Sequence, residues 1–572
     1  IASREALLDE IAAVASLSRH HVQRSTQASS AQTNRSSGVT SETVSSEVVN
    51  RRADYVMEVL ELEAQRVLQS IATGRWQVAV YFGADSAMDA QRLGATLRAA
   101  LSGTDSRPDP IRVHFPGKGR KEAATQFATL LGSGELAHLV RLPSREVPGF
   151  DVRESAAFSL RAAPKASRTL RIGEVMWEKA PSGVAYEMPI DDLTRHTLVA
   201  GITGSGKTTT VMSMISRLWV DSGIPFLVIE PAKTEYRALL GVVRGEQGSG
   251  PIADLRVYTL GDETVAPFRL NPFEFDVGDT PGGPQVLSHI DLLKALFNAA
   301  FILYAPMPYV LETALHEVYQ DKGWNLATGT NARVPQESWK DRHEFPIFPT
   351  LSDLYGKVEA VTHRLGYESR IAQDVVAGLR ARIGALRLGS KGLMLDTPRG
   401  MPIGELLSHP TVLELESIGN DEEKGFLIGL IMTRIYGYRR QQAKSGVAVA
   451  GLRHMLVVEE AHRLLKNTNT QVDTESANLR AHAVETFGNM LSEVRHYGQG
   501  VIVAEQIPVK LTPDVVKNTN LKIVHRLLAR DDREALAGAM VMTDAQARHL
   551  SLLQVGEAVA FCEGNDGPML LR

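Results

Sequence analysis

The stretch with the clearest chemistry is Gly201-Ile202-Thr203-Gly204-Ser205-Gly206-Lys207-Thr208. Its spacing, G-x-x-x-x-G-K-[ST], is that of a phosphate cradle. Glycines let backbone N–H groups turn toward phosphate oxygens, and a following helix adds partial positive charge at its N-terminus. Gly201, Thr203, Gly204, Ser205, Gly206, Lys207, Thr208 and Thr209 are therefore the candidate nucleotide contacts. Lys207 would neutralise the β- and γ-phosphates, and the Thr208 hydroxyl would ligate Mg²⁺. A nucleoside triphosphate and Mg²⁺ are the expected cofactors.

Such a site needs acids to hold the metal's water shell and to polarise the attacking water. Met455-Leu456-Val457-Val458-Glu459-Glu460-Ala461-His462 supplies an apolar strand ending in two. Glu459 is assigned to the metal side and Glu460 to water activation. Gln506 closes a later apolar run, where an amide can sense the γ-phosphate. Arg495, Arg526, Arg530 and Arg533 are candidates for an arginine that stabilises transition-state charge.

These groups must be held by alternating strands and helices. His196 to Ala200 is an apolar lead-in, and Val211, Met212, Met214, Ile215 and Leu218 continue a helical pattern after the loop. Pro225 to Glu230, Leu255 to Leu260, Thr411 to Leu415, His454 to Glu460, Gly500 to Gln506, Ile523 to Leu527 and Glu557 to Phe561 read as strands. That alternation implies βαβ units and a parallel sheet covered on both faces. The expected class is α/β, a P-loop core with a parallel sheet, a helical insertion and a smaller N-terminal α/β region.

The expected divisions are N-terminal helices with a polar linker (1–72, the linker about Ser18 to Ser46) and a small α/β domain (73–150). A β-rich lead-in (151–190), the first part of the core (191–275), a helical insertion (276–405) and the second part of the core (406–572) follow. Trp76 to Phe82 and Ile111 to Phe115 are the expected strands of the small domain. Lys233 to Arg237 and Lys466 to Arg480 are candidate polar loops for contacting nucleic-acid phosphates.

At 572 residues the chain exceeds one ordinary core, and a net charge of −4 confines any nucleic-acid contact to a local patch or channel. The single cysteine, Cys562, excludes an internal disulfide framework and fits a reducing, cytoplasmic setting. No apolar run has the length of a membrane span. The chain begins at Ile1 without a secretory pattern, as a trimmed or incomplete sequence would.

Taken in order, these motifs resemble the HerA/FtsK group of hexameric P-loop motors, and bacterial HerA-type ATPases above all. The resemblance rests on His196 to Thr208, Val228-Ile229-Glu230-Pro231-Ala232-Lys233-Thr234-Glu235-Tyr236, Arg269-Leu270-Asn271-Pro272-Phe273, Glu459 to His462, and Glu493-Val494-Arg495-His496-Tyr497-Gly498 before the strand to Gln506. It spans about residues 170–572. It implies a RecA-like core assembling as a homo-hexameric ring with ATP sites between subunits and a central pore for double-stranded DNA. It also implies a partner nuclease or other effector. The front of the chain departs from the small β-barrel that HerA-type proteins often carry, so residues 1–150 are expected instead to dock that partner, in DNA processing or anti-phage defence. By the same resemblance Glu460 is the catalytic glutamate, Gln506 the sensor and Arg495 an active-site arginine. Two alternatives stay open from sequence: an NTP-gated scaffold that activates a bound effector, and a secretion- or conjugation-type ATPase.

Overall fold

The computed structural model describes residues 2–26, 42–102, 111–115, 127–141, 156–161, 166–177, 180–241, 252–278, 281–446, 451–467 and 476–572. The chain forms two compact units, Ile1–Arg153 and Glu154–Arg572.

In the first unit α1 (Ala2–Ser18) leads to antiparallel strands β1 (Arg19–Thr26) and β2 (Glu42–Val49), followed by α2 (Arg51–Thr73). The expected linker thus contributes a strand pair, and its centre, 27–41, lies outside the described residues. A ladder is made of backbone groups, so a polar sequence does not prevent it, and Thr43, Val44, Val48 and Val49 favour it. Next come β3 (Arg75–Val78), α3 (Ala87–Ser102), β4 (Thr129–Gly132) and α4 (Ser133–Val140). The partner of β3 is β4, Trp76 standing opposite Leu131. Ile111 to Phe115, expected as a strand, is not one. Its Val113 instead packs with Phe82 against Gly94 of α3.

In the second unit, β5 (Thr169–Trp177), β6 (Ala180–Pro189), β7 (Thr197–Ala200), α5 (Lys207–Ser222), β8 (Phe226–Glu230) and β9 (Arg256–Thr259) come first. The chain then runs through α6 (Gln285–Ala300), α7 (Met307–Asp321), the small pair β10 (Trp324–Asn325) and β11 (Thr330–Asn331), α8 (Leu351–Arg364), α9 (Ser369–Leu386), α10 (Gly389–Leu395) and α11 (Ile403–Leu406). It returns through β12 (Thr411–Glu414), α12 (Asp421–Lys444), β13 (His454–Glu459), α13 (Ser476–Val494) and β14 (Gln499–Glu505). Last are α14 (Pro513–Asn518), β15 (Leu521–Val524), α15 (Arg530–Ala539), α16 (Asp544–His549), β16 (Ala558–Phe561) and β17 (Met569–Leu571).

One sheet joins these strands in the order β6-β5-β17-β16-β15-β7-β14-β13-β8-β12-β9. Neighbours from β15 to β9 run parallel, and the other edge is antiparallel. Every residue of β7, β8, β13 and β14 is buried, because helices or further strands cover both faces. Leu198, Leu227, Ile229, Leu456 and Val458 enter one core with Leu293 and Leu296 of α6 and Phe426 of α12. The alternate residues Val199, Phe226, Val228, Val457 and Ile502 enter a second core with Val211, Met214, Ile215 and Leu218 of α5. Among the described residues no helix is long and apolar enough to cross a membrane.

Helix α12 is buried around its whole circumference from Glu423 to Tyr436, as a helix in the middle of a large core must be. Its Gly429 permits the approach of α6: a Cβ there would lie 2.4 Å from Leu296 Cδ1 and 3.1 Å from Leu464 Cδ1. Leu296 is fully buried and has little room to yield. Gly429→Val should therefore destabilise the chain by about 2 kcal/mol despite valine's better helix propensity, read as a lowered denaturant midpoint.

Candidate active site

The parallel strands present their carboxyl ends on one edge, and β7 lies between β14 and β15 where the strand order reverses direction. The glycine-rich loop leaves β7 at this point. Gly201 N–H donates to Glu505 O (3.1 Å) and Ile202 N–H to Arg526 O (3.1 Å), tying the loop to both flanking strands. Gly204 (φ 75°) and Gly206 (φ 106°) take the left-handed backbone that turns N–H groups inward. A Cβ at Gly204 would meet nothing within 4 Å, so the cradle is open there. Lys207 opens α5 and is buried.

Polar groups brace the loop from below. Ser205 Oγ donates to Ile202 O at 2.7 Å, and the Thr203 hydroxyl donates to Gln506 Oε1 at 2.9 Å. His525 accepts from the Thr210 hydroxyl at Nε2 (2.9 Å) and donates from Nδ1 to Glu557 O (3.0 Å). Burial, with the Lys207 ammonium nearby, lowers its imidazole to about 4, which keeps the ring neutral for those two bonds.

Four neighbouring strands end in buried glutamates: Glu414 on β12, Glu230 on β8, Glu459 on β13 and Glu505 on β14. Glu414 stands directly opposite Glu230, and Val458 opposite Ile229 brings Glu459 beside them. Each carboxylate has its own partner. Arg237 donates to both oxygens of Glu414, each at 2.6 Å. Tyr236 donates to Glu459 Oε1 at 2.9 Å. His462 Nδ1 lies 2.9 Å from Glu505 Oε2. Glu230 accepts backbone N–H groups, from Glu235 at 2.7 Å and Tyr236 at 3.4 Å. Burial pushes the Glu230 carboxyl up to about 7, those two bonds resisting and the Glu459 and Glu414 charges adding to the rise. Glu459 is also raised by burial, against the pull of Lys207 and the Tyr236 hydroxyl.

The sequence-derived residues separate into groups. Lys207, Thr208, Glu459 and Gln506 gather around the loop. Arg526 follows β15, and its buried Nε lacks a hydrogen-bond partner beside the loop backbone. Glu460 adopts a left-handed backbone (φ 49°) and turns its carboxylate to Arg463, at 2.9 Å from Nε and 2.6 Å from Nη2. Arg463 also pairs with Asp421. Arg495 lies elsewhere, just before Gln499 opens β14, with that strand's seven residues, roughly 20 Å, between it and the loop. There it is exposed in a cleft of about 420 Å³ lined by Thr194, Arg195, His496 and Glu563. Arg530 is exposed and bonded to Glu534 on α15, and Arg533 lies on the same helix with a buried, unpartnered Nε.

Lys233 to Arg237, expected as a nucleic-acid loop, is instead part of this site: Tyr236 and Arg237 hold the acid row, and the Lys233 ammonium lies 2.6 Å from Glu235 Oε1. Of the other candidate loop, 468–475 lies outside the described residues. His525, Tyr236 and the acids Glu230, Glu414 and Glu505 were not assigned roles from sequence. Their signal was an apolar run closed by Glu, present at three strands besides β13.

The residues fit a Mg²⁺–nucleoside triphosphate. The open N–H cradle, Lys207 and the unpartnered Arg526 Nε suit phosphate oxygens. Thr208 and Glu459 are hard oxygen donors of the type Mg²⁺ takes, the rest of its shell being water and phosphate.

A family model described as "Helicase HerA, central domain" matches residues 170–281. The chain is 21% identical over 398 residues to the DNA double-strand break repair helicase HerA of Sulfolobus acidocaldarius, covering 68% of this chain and 66% of that one. It is 23% identical over 377 residues to the probable DNA double-strand break repair helicase HerA of Methanocaldococcus jannaschii, covering 64% and 69%. The chain thus spans about two thirds of the length of these relatives. Among solved structures, VirB4 of Thermoanaerobacter pseudethanolicus has the same fold over 71% of this chain and 97% of its own, at a TM-score of 0.51 and 17% identity.

The Glu230 carboxyl sets a pH dependence. Its ordinary value is 4.5 and its folded value about 7, so folding takes up a proton between them. The stabilisation is complete below pH 4.5 and is lost as pH rises through 7. Glu230→Gln keeps an acceptor for the Glu235 N–H, gives up only the longer bond from the Tyr236 N–H, and has no proton to lose. Relative to the parent, its stability should rise by about 2 kcal/mol from pH 5 to pH 8, measured by denaturant midpoints in EDTA.

Proposed function

We propose that this chain, a P-loop ATPase of the HerA/FtsK type, is the subunit of a homo-hexameric ring that hydrolyses ATP with Mg²⁺ and translocates double-stranded DNA. The observation that carries the ring is the separation of its charges. The P-loop, Thr208 and Glu459 lie at the carboxyl ends of the strands, while exposed Arg495 lies with Arg195 at the opposite end of β14 and β7. Among the described residues no carboxylate forms an ion pair with Arg495. A neighbouring subunit's nucleotide is the anion that such a cleft can meet, through a head-to-tail interface that closes into a ring.

In this reading Lys207 neutralises phosphate charge and Thr208 and Glu459 hold the metal side. Mg²⁺, when bound, supplies charge stabilisation at the β- and γ-phosphates. Glu460 polarises the attacking water once its carboxylate is released from Arg463. Gln506, already bonded to Thr203 in the loop, senses the γ-phosphate. Arg526 supports the phosphates from the same subunit, and Arg495 acts on the neighbour's. DNA as cargo is supported by the names of the curated relatives, both helicases. The N-terminal unit is the proposed dock for a nuclease or other effector, in DNA processing or anti-phage defence.

Steady-state hydrolysis should rise severalfold with linear duplex DNA, and Glu460→Gln should bind ATP without turning it over. Hydrolysis indifferent to DNA in a hexamer-sized species would favour a scaffold or a protein cargo. The placement of Arg495 has its own test: Lys207→Ala and Arg495→Ala proteins, each inactive, should regain activity when mixed before assembly. About a quarter of interfaces would then pair an intact P-loop with an intact arginine. A same-subunit role for Arg495 gives no recovery.

A further inference from the structure

Glu493 stands at the wrong end of a helix for its charge. It occupies the last turn of α13, where the backbone carbonyls concentrate negative charge and a cation is the favoured residue. Two tyrosines hold it there. Tyr436, buried on α12, donates to Glu493 Oε2 at 2.7 Å, and Tyr497 donates to Glu493 Oε1 at 2.7 Å. What burial the carboxyl has works against its charge, but the two hydroxyls prevail, with the field of Arg440 on α12 added, and hold it below its ordinary value. The carboxylate thereby joins α12 to the short 3₁₀ turn Arg495–Tyr497 that follows α13. Within that turn, His496 Nδ1 donates to Glu493 O at 3.2 Å. The turn closes on Gly498 (φ 74°), whose N–H donates to Arg495 O at 3.1 Å and whose carbonyl accepts from Arg453 N–H at 2.8 Å. The backbone of Arg495 is thus fixed on both sides, while its side chain stands exposed in the cleft.

We propose that Glu493 is a positioning residue for Arg495: held by Tyr436 and Tyr497, it locks the turn to α12 so that the guanidinium is presented to the neighbouring subunit's nucleotide. This rests on the reading of Arg495 given above. An exposed arginine side chain samples many rotamers, and it returns to one place on a partner's phosphates only when its own backbone does not move. A carboxylate suits that task because its two oxygens accept from two directions, and here each tyrosine takes one. Tyr436 supplies the rigid end, since α12 is buried around its circumference. Tyr497 supplies the other end, two residues beyond the arginine.

The test is hydrolysis by the full chain, with the affinity for a non-hydrolysable ATP analogue measured beside it. Glu493→Ala should lower kcat about tenfold and leave that affinity, which reports the subunit's own P-loop, at the parent's value. Tyr436→Phe combined with Tyr497→Phe removes only the two hydroxyls and should do the same. Glu493→Gln, which keeps an acceptor, should lose less than Glu493→Ala. The decisive readout is repair between subunits. Glu493→Ala mixed with Lys207→Ala before assembly should be more active than either protein alone, because the Lys207→Ala subunit brings an intact turn to its neighbour's intact P-loop. A merely structural role for the carboxylate damages the subunit that carries the change and is not repaired in this way. Absence of that gain overturns the proposal, and so does a kcat for Glu493→Ala equal to the parent's. Should Arg495→Ala hydrolyse ATP as the parent does, the reading of Arg495 itself falls, an outcome distinct from an inactive Arg495→Ala beside a fully active Glu493→Ala.

Discussion

Four glutamates buried side by side at the ends of adjacent parallel strands are the constraint from which much of this site follows. Strands in a sheet lie about 4.8 Å apart, so Glu414, Glu230 and Glu459 are forced into one another's field. Like charges that close, out of water, are tolerated when each is paired, hydrogen-bonded or protonated. All three answers are present. Arg237 grips Glu414 with two bonds, Tyr236 and Lys207 serve Glu459, and Glu230 is driven toward its neutral form. The segment after β8 is thus dictated by electrostatics: Tyr236 and Arg237, next to each other in sequence, each serve a different acid, and the turn that permits this is fixed by a third.

The consecutive acids Glu459 and Glu460 have separate fates. The strand stops at Glu459 and the backbone turns left-handed at Glu460, so the two side chains leave in different directions. Glu459 faces Lys207, with Tyr236 holding it. Glu460 follows the strand in a left-handed conformation that only a well-supported residue keeps, and its carboxylate lies with Arg463, near Lys424. One dipeptide thereby sends one carboxylate toward Lys207 and the other to Arg463.

A net charge of −4 conceals how the charge is distributed. Lys207 and Arg526 stand at one end of the parallel strands, with the row of glutamates, and Arg195 and Arg495 at the other, where Glu563 pairs with Arg195. A single nucleotide spans neither the sheet nor the roughly 20 Å along β14.

The local facts were legible in the sequence. G-x-x-x-x-G-K-T forces a strand–loop–helix because glycine backbone freedom and the helix N-terminus are short-range properties, and the loop stands where expected between β7 and α5. Unbroken apolar runs gave β8, β12, β13 and β14, since a strand covered on both faces needs no alternation. Pairing was not legible. Arg19 to Thr26 and Glu42 to Val49 form a ladder through backbone groups that composition does not report, whereas Ile111 to Phe115 has the pattern of a strand but no described partner strand. Nor did position in the chain reveal that Lys233 to Arg237 belongs beside Glu459, 223 residues on from Tyr236, or that Arg495 stands at the far end of the strand that Gln506 follows. Those decisions belong to strand order. The sequence by itself determined which residues can bind phosphate and which runs must be buried; tertiary structure decided which acids share a field, because that depends on which strands lie side by side.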